Sequence, residues 1–309
     1  MRLAFFGTSA FAVPALRTLA AYGHDIGPVV AAPAQPSGRG RRLVASPVER
    51  EARALGLPIL TPETPNDPAF LAALAARRIE VAALAAYGCI LGRNLLAVPR
   101  HGFLNIHPSL LPKYRGAAPI QRAILAGERE TGVTVICLSE QVDAGDILEQ
   151  ERVAVGEDET AGELSGRLAD IGARLMLAAL TRLENGIASR TQQDEGSASC
   201  APKLTKAERN IDWQEVAQRI HNRIRALSPE PGAVTGFRQK RVVLLRSRVH
   251  PTRDPGEPGQ VLVEHPGLVI AAGLGAIEIV ELKPEGRRPQ TGQDFRNGHR
   301  PVAGERFAA

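Results

Sequence analysis

Cysteine is scarce in this sequence, and the cysteines that are present stand far apart. Cys89, Cys137 and Cys200 are three among 309 residues, and no Cys-x-x-Cys pair occurs. An odd number at such spacing excludes a disulfide framework and argues against a cysteine-based zinc site. None of the seven histidines stands at metal-ligand spacing from another, so we expect no metal. The cysteine usage predicts a reducing, cytoplasmic environment.

Long apolar runs and a secretion signal are also missing. No segment approaches the roughly 18 consecutive apolar residues of a membrane span. The first apolar run reaches Gly7 without a cleavage site, so we expect no signal peptide and no membrane association. With 44% hydrophobic and 23% charged residues, the chain can bury a core, and its length predicts about two domains at roughly 150 residues each.

Glycine motifs that bind phosphate groups do not occur. After the first apolar run the chain reads GTSAF, which lacks the G-x-G-x-x-G pattern of dinucleotide-binding turns. The G-x-x-x-x-G-K-[ST] pattern of nucleoside triphosphate sites is missing too. The sequence therefore disfavours enzymes that use a dinucleotide or a nucleoside triphosphate.

Positive charge is concentrated in the last third of the chain. Residues 200–309 contain 18 Lys and Arg against 12 Asp and Glu, whereas residues 1–199 contain 20 against 21. A domain with this excess suits a polyanionic partner such as a nucleic acid. The alternative is an arginine-rich composition that serves solubility, because only five of the 38 basic residues are lysine.

Short apolar runs alternate with amphipathic patterns over the first 180 residues. We predict strands at Leu3–Phe6, Ile26–Ala31, Ile59, Val81–Ala86 and Phe103–Ile106, and helices at Ala10–Ala21, Val48–Leu55, 68–76 and 117–126. Apolar strands separated by helices indicate a Rossmann-like, doubly wound α/β fold with a mostly parallel sheet. Ligands of such sheets bind beyond the carboxyl ends of the strands.

The alternation ends near residue 130. Val133–Leu138 and Ile147–Val153 are too close together for a helix between them, so we expect antiparallel pairing late in the sheet. A helix over Ala161–Leu183 ends before Gly186, a C-cap glycine. The polar stretch 187–207 is predicted to be a linker between a first domain, 1–186, and a second, 208–309.

The second domain is predicted to be a helix followed by strands. One amphipathic helix spans Trp213–Ala226, and Pro229 and Pro231 end it. The predicted strands are Arg241–Val249, Gly259–Glu264, Gly267–Ala272 and Ala276–Leu282. Several short strands in about 80 residues indicate a small β-barrel or sandwich.

The segment NIHPSLLP contains the strongest candidate for chemistry. Asn105 and His107 are two residues apart at the end of a predicted strand, so their side chains project together. An amide can donate to a developing oxyanion while an imidazole handles a proton or its charge, which suits acyl transfer. The alternative is an Asn105 that caps a loop and a structural His107.

Asp143, in the sequence VDAGD, is the third candidate. An aspartate in a turn between two strands can lie near the ends of neighbouring strands, where it holds a water or orients an imidazolium. The alternative is an Asx-turn residue, which an aspartate before Ala-Gly often is.

A basic segment, QPSGRGRRLVASP from Gln35 to Pro47, is the fourth candidate. Arg39, Arg41 and Arg42 lie among glycines after the second strand. Such a loop can contact phosphates or enter a nucleic-acid groove. The alternative is a solvated surface loop.

Several long motifs in this order resemble those of the 10-formyltetrahydrofolate-dependent formyltransferases. They are FFGTSAFAVPAL, QPSGRGRRL, AYGCIL, NIHPSLLP, YRGAAPIQRAI, GVTVICLSEQVDAGDIL, KLTKAERNIDW and IRALSPEPGA. The match covers nearly the whole chain and is most similar to the members that act on methionyl-tRNA. It implies a formyltransferase domain followed by a C-terminal β-barrel of oligonucleotide-binding type.

The resemblance implies a role for each candidate residue. Asn105, His107 and Asp143 would be catalytic, and the basic loop with the C-terminal domain would bind tRNA. Folate would be bound by the remaining residues of the motifs, namely Ser109, Leu110, Leu111, Pro112, Ile90 and Leu91.

The implied reaction transfers the formyl group of 10-formyltetrahydrofolate, the co-substrate, to the α-amino group of methionyl initiator tRNA. The enzyme would act as a cytoplasmic monomer without a metal. Two other interpretations remain open within the family, a formyltetrahydrofolate hydrolase and a sugar-nucleotide formyltransferase. A third is an RNA-binding protein with a degenerate transferase domain.

Overall fold

Strands and helices alternate through the first half of the chain. The computed structural model describes residues 1–37, 42–252 and 256–308. Its strands are β1 (Arg2–Gly7), β2 (Asp25–Val30), β3 (Gln35–Ser37), β4 (Arg42–Val44), β5 (Ile59–Leu60), β6 (Val81–Ala85), β7 (Phe103–His107), β8 (Glu130–Cys137), β9 (Ile147–Ala154), β10 (Ala233–Phe237), β11 (Lys240–His250), β12 (Leu268–Ala271), β13 (Ala276–Pro284), β14 (Gln290–Thr291) and β15 (Phe307–Ala308). Its α-helices are α1 (Val13–Ala21), α2 (Pro47–Ala54), α3 (Pro68–Ala75), α4 (Arg93–Leu96), α5 (Pro119–Leu125), α6 (Ala161–Glu184), α7 (Ala217–Leu227) and α8 (Gly292–His299).

Contacts divide the chain into two units that interleave along the sequence. The first unit comprises residues 1–116, 131–153 and 165–200, and the second comprises 117–130, 154–164 and 201–309. The stretch predicted as a linker, 187–207, is divided between them at Cys200. The boundaries at 186 and 208 stay a prediction, but residues 187–200 belong structurally to the first unit.

The first unit is built on a seven-stranded sheet in the order β5-β2-β1-β6-β7-β8-β9. The pairs from β5 to β7 are parallel, and β8 runs antiparallel to β7. Leu3–Phe6 of β1 and all of β6 are buried, because helices cover both faces of such a sheet. The predicted mostly parallel α/β fold is confirmed.

Two helices of the first unit, α2 and α3, begin after a residue whose side chain caps them. Ser46 accepts a hydrogen bond from the N–H of Glu49 before α2, and Asp67 accepts from the N–H groups of Ala69 and Phe70 before α3. Both helices have proline in their first turn, where no hydrogen-bond donor is needed. No helix of the described residues is long and apolar enough to cross a membrane.

The second unit is an antiparallel sheet in the order β12-β13-β11-β10-β15, with β14 beside β13. Residues 259–262 hydrogen-bond to β12 on one side and to the 305–307 segment on the other. These contacts join the two edges of the sheet and close it into a barrel, which removes exposed strand edges. The segment Gly259–Glu264, predicted as a strand, is therefore the closing connection.

Helix α7 of the second unit is shorter than the sequence predicts. It begins at Ala217, whereas Trp213 lies in a turn before it. The Trp213 ring is buried in the barrel core and its Nε1 donates to Oγ1 of Thr235 at 3.1 Å. Trp213 is therefore a core residue of the barrel and not part of the apolar face of α7.

An ion pair between Arg122 of α5 and Glu208 makes the stability of the second unit depend on pH. Hydrogen bonds from Arg122 and from the N–H of Thr205 lower the pKa of Glu208 to about 2. Because the folded-state pKa lies below the ordinary value, this contribution is present above about pH 4.5 and is lost as pH falls toward 2. We expect Glu208→Gln to lower the melting temperature at pH 7, and the difference from wild type to shrink by pH 3. Glu285→Gln, at an exposed position, is the control, and an equal difference at both pH values would contradict the assignment.

Candidate active site

Strand β7 ends with two polar side chains on one face. Asn105 and His107 are two residues apart, so both project to the same side, and both are buried. Ile106 faces the other side, where a Cβ on Gly172 of α6 would overlap its side chain. The carboxyl end of β7 therefore presents an amide and an imidazole together.

Asp143 reaches the same place from the loop between β8 and β9. Its Oδ1 accepts a hydrogen bond from Nδ2 of Asn105 at 3.4 Å, and its Oδ2 lies 3.5 Å from Nδ1 of His107. The backbone N–H of Gly116 also donates to Oδ2, at 2.9 Å. The three side chains that the sequence singles out therefore meet around one partly buried carboxylate.

Oxygen atoms face both nitrogens of the His107 ring. Nε2 lies 2.9 Å from the carbonyl oxygen of Tyr114, and Nδ1 faces Asp143. Because a carbonyl and a carboxylate can only accept, the ring satisfies both partners when it carries two protons. A positive imidazole held beside a carboxylate suits the stabilisation of negative charge on a reacting oxygen.

The turn after β7 is tightly packed. Ser109 is completely buried and its Oγ donates to the carbonyl of Lys113 at 2.7 Å. Leu111 is buried as well, whereas Leu110 and Pro112 are half-buried. Of the four residues predicted to bind folate in this turn, Leu110 and Pro112 therefore keep surface for a ligand. Ser109 and Leu111 support the turn from within.

The segment after β6 holds the other two predicted folate-binding residues. Ile90 is 85% exposed, an unusual position for a large apolar side chain, and Leu91 packs against the core cluster that includes Phe6 and Tyr87. The side chain of Asn66 is hydrogen-bonded to this segment, with Nδ2 donating to the carbonyl of Ile90 at 3.0 Å. The segment is thus fixed in place with one apolar side chain directed outward.

This segment and the Asp143 loop lie side by side. Arg93, at the start of α4, forms an ion pair of 3.0 Å with Glu140, and Leu138 packs against the same cluster as Leu91. Val142, next to Asp143, is 69% exposed. Two exposed apolar side chains therefore lie on neighbouring segments, Ile90 on the segment after β6 and Val142 on the loop that carries Asp143.

The basic segment forms part of a two-stranded hairpin. Strand β3 pairs antiparallel with β4, with Ser37 opposite Arg42. Leu43 and Val44 of β4 are exposed. Arg39 and Arg41 lie outside the described residues. The predicted role of the basic segment stays a prediction.

Sequence reasoning missed the backbone groups of the site. The N–H of Gly116 and the carbonyl of Tyr114 hold Asp143 and His107, and Tyr114 does so with a left-handed φ of 63°. Backbone atoms are present at every residue, so no residue type signals them. It also missed Gln193, a buried residue in the stretch predicted as a linker.

A separate cavity of about 480 Å³ lies in the second unit and contains none of the predicted site residues. His221 and Arg225 line it, and both are buried. Burial lowers the pKa of each, but the Arg225 guanidinium donates to Asn222 and Gly156, and the His221 ring faces Ser247 and Glu157. These bonds explain both residues as structural links. Among the described residues, no group of three or more His, Cys, Asp and Glu side chains can hold a metal ion.

Comparison with known proteins assigns the chain to a family. The model of the family described as formyl transferase matches residues 1–180, and that of the formyl transferase C-terminal domain matches 203–300. The chain belongs to the formyl transferase family. The predicted resemblance is therefore confirmed at the level of the family, and the chain is a formyltransferase enzyme.

Similar proteins extend over the whole chain. A methionyl-tRNA formyltransferase of Thermus thermophilus is 46% identical and one of Carboxydothermus hydrogenoformans is 42% identical, each alignment covering 99% of both chains. Among solved structures, HypX from Aquifex aeolicus in complex with tetrahydrofolic acid superposes with a TM-score of 0.68 at 18% identity. That match covers all of this chain and half of HypX, and it supports the fold alone.

Proposed function

We propose that the chain transfers the formyl group of 10-formyltetrahydrofolate to the α-amino group of methionyl initiator tRNA. The observation that supports this most is the meeting of Asn105 and His107 around the Asp143 carboxylate at the carboxyl end of a buried strand. The relatives named methionyl-tRNA formyltransferase, which match over 99% of the chain, support methionyl-tRNA as the acceptor.

The three side chains divide the work of acyl transfer to an amine. The Asn105 amide nitrogen has two hydrogens, so one can bond Asp143 while the other donates to the oxyanion that develops on the formyl oxygen. The His107 ring, held by Tyr114, adds positive charge beside that oxygen. Asp143 orients the ring and accepts the proton that the amine releases, directly or through a water.

The acceptor amine needs little activation. A free α-amino group titrates near about 7.7–8.0, so a substantial fraction is already neutral near pH 7. In the overall step the amine nitrogen forms a bond to the formyl carbon and loses one proton, while the bond to folate N10 breaks and N10 gains one proton. The protein's main tasks are therefore alignment and charge stabilisation.

The segments beside the three polar residues fit an aromatic co-substrate. Ile90 and Val142 expose apolar side chains on neighbouring segments, and burying them against a flat ring would remove apolar surface from water. We assign Ile90, Leu91, Leu110 and Pro112 to folate binding. The folate supplies the formyl group and takes up the proton at N10.

The functional test is a formyl-transfer assay with four acceptors. Purified protein and radiolabelled 10-formyltetrahydrofolate are incubated with charged methionyl initiator tRNA, uncharged tRNA, a nucleotide-linked amino sugar, or no acceptor. We expect label to be transferred to charged tRNA only. Rapid formate release without an acceptor would indicate a hydrolase, and label in the sugar would indicate a sugar formyltransferase. Binding of tRNA without any transfer would indicate an RNA-binding protein.

The basic segment is expected to contribute to tRNA binding. Changing Arg42 to alanine should remove one cation near the phosphates, so kcat/KM for charged tRNA should fall, and the difference from wild type should be largest at low salt and narrow at high salt. The magnitude of the slope of log affinity against log salt concentration should decrease by about one, because one phosphate contact is lost. Arg174→Ala, which removes an exposed charge from α6, serves as the control. If kcat/KM is unchanged in Arg42→Ala, the segment is an ordinary surface loop.

A further inference from the structure

Residues 191–200 run across both loops of the candidate site. Thr191 exchanges backbone hydrogen bonds with Ile147, just after the Asp143 loop. Ser199 accepts at its carbonyl from the N–H of Arg115, and its Oγ accepts from the N–H of Tyr114 at 2.9 Å. This segment, which we call the strap, therefore contacts two loops. One carries Asp143, and the other follows β7 and contains Tyr114, whose carbonyl faces the His107 ring.

Gln193 is the buried residue of the strap, and its amide group faces the Asp143 loop. Nε2 donates to the carbonyl of Asp143 at 2.8 Å and to the carbonyl of Gly145 at 2.7 Å. A Cβ on Gly145 would overlap the carbonyl of Cys137, so the loop passes close to β8. The side chain thus fixes the backbone on both sides of the turn that directs the Asp143 carboxylate.

The other end of the Gln193 amide contacts the second loop. Oε1 accepts from Nε and Nη2 of Arg115, at 3.1 and 2.9 Å. Arg115 also forms an ion pair with Glu195 of the strap. Because two acceptors face Nε2 and two donors face Oε1, only one orientation of the amide satisfies all four contacts.

Asp143 needs this support because its backbone is strained. Its φ is 52°, in the left-handed region that a residue with a side chain adopts at a cost. Such conformations persist only where the surroundings enforce them. Arg115 lies between Tyr114 and Gly116, whose backbone groups hold His107 and Asp143. One glutamine therefore links both sides of the site.

We propose that Gln193 is a positioning residue for formyl transfer, holding the Asp143 carboxylate in register with His107 and Asn105. This inference rests on the proposed function. Gln193 touches neither reacting group, so its loss should affect the rate of the chemical step rather than the binding of either substrate.

Two substitutions separate the two ends of the amide. Gln193→Met keeps the length and apolar volume of the side chain but removes all its hydrogen bonds. Gln193→Glu keeps an acceptor for Arg115 but places an oxygen against the carbonyls of Asp143 and Gly145. Both variants lose the hydrogen bonds that position the Asp143 loop. We therefore expect kcat to fall by about 10- to 100-fold in both, with KM for folate and for tRNA nearly unchanged. Gln192→Met, at the exposed neighbouring position, is the control and should behave as wild type.

A second measurement does not depend on activity. Hydrogen exchange of the peptide spanning 138–146 should be faster in both Gln193 variants than in wild type and Gln192→Met, because the loop loses its anchoring donor. If Gln193→Met does not fold, Gln193→Glu provides the same two measurements.

Four outcomes are distinguishable. Wild-type kcat and wild-type exchange in the Gln193 variants would overturn the inference, as would a normal kcat in Gln193→Glu alone. A change in KM without a change in kcat would also overturn it. If the wild-type protein forms no formylmethionyl-tRNA, the proposed function fails, and the exchange measurement still decides whether Gln193 orders the Asp143 loop.

Discussion

Replacing Asp143 with asparagine is expected to lower kcat for formyl transfer by about 10³- to 10⁴-fold, the size of the loss when the carboxylate of an acid-base triad becomes an amide. The carboxylate accepts from Asn105 and from the N–H of Gly116, and it faces His107 at 3.5 Å. An amide of the same shape removes the negative charge beside the ring, and its nitrogen cannot accept from Gly116. The measurement is single-turnover transfer of the labelled formyl group from 10-formyltetrahydrofolate to charged tRNA.

Binding of tRNA should be nearly unchanged in Asp143→Asn, because the carboxylate is only 13% exposed. A filter-binding assay measures this, and Asp170→Asn, an exposed carboxylate on α6, is the matched control. A kcat within threefold of wild type in Asp143→Asn would mean that the carboxylate is an Asx-turn residue without a catalytic role.

Asn105→Ala is expected to lower kcat by about 10²- to 10³-fold, corresponding to roughly 2.7–4 kcal/mol for the loss of one oxyanion donor. The loss should appear in kcat and in kcat/KM alike, because the donor acts in the transition state. The shorter side chain leaves the Asp143 carboxylate its contacts with Gly116 and His107, so the fold should persist. The measurement is steady-state kinetics with charged tRNA and 10-formyltetrahydrofolate varied in turn.

Asn185→Ala, exposed just after α6, is the control for Asn105→Ala. A rise in KM for folate at constant kcat would contradict the oxyanion role and would make Asn105 a binding residue. Equal losses in both asparagine variants would point to a general effect on the protein instead.

Much of the first unit could be predicted because its signals are local. Runs of apolar residues at Leu3–Phe6 and Val81–Ala86 can be buried only in a covered sheet, and the structure buries Leu3–Phe6 and Val81–Ala85 there, with Ala86 exposed after the strand. Period-two spacing was sufficient to place Asn105 and His107 on one face. The convergence of Asp143 was expected from the position of its loop, but its left-handed backbone and its bond to Gly116 could not be predicted from residue types.

The second unit was harder to predict because its contacts are distant in sequence. Trp213 matches a helical apolar pattern, yet a hydrogen bond to Thr235 and burial in the barrel hold it in a turn. Helix α8 was missed because its sequence, GQDFRNGH, contains two glycines and one large apolar residue, Phe295. Residues 259–262 resemble a strand but pair with two different edges, which only the closed barrel defines.

The strap shows that a polar composition alone does not identify a linker between domains. Its sequence is polar and short of large apolar groups, which is typical of a linker. The polar groups are instead used internally, since Gln193 and Arg115 satisfy each other and the Asp143 loop. Polarity in a sequence does not distinguish side chains that face water from those that hydrogen-bond inside the protein.

Asn105, His107 and Asp143 are proposed to act as one unit in formyl transfer. Single-turnover rates of Asn105→Ala, His107→Ala, Asp143→Asn and the triple variant test it directly. For groups that act together, we expect the triple variant to be no slower than the slowest single variant by more than about tenfold. Losses that multiply in the triple variant, or a single variant that keeps the wild-type rate, would contradict it.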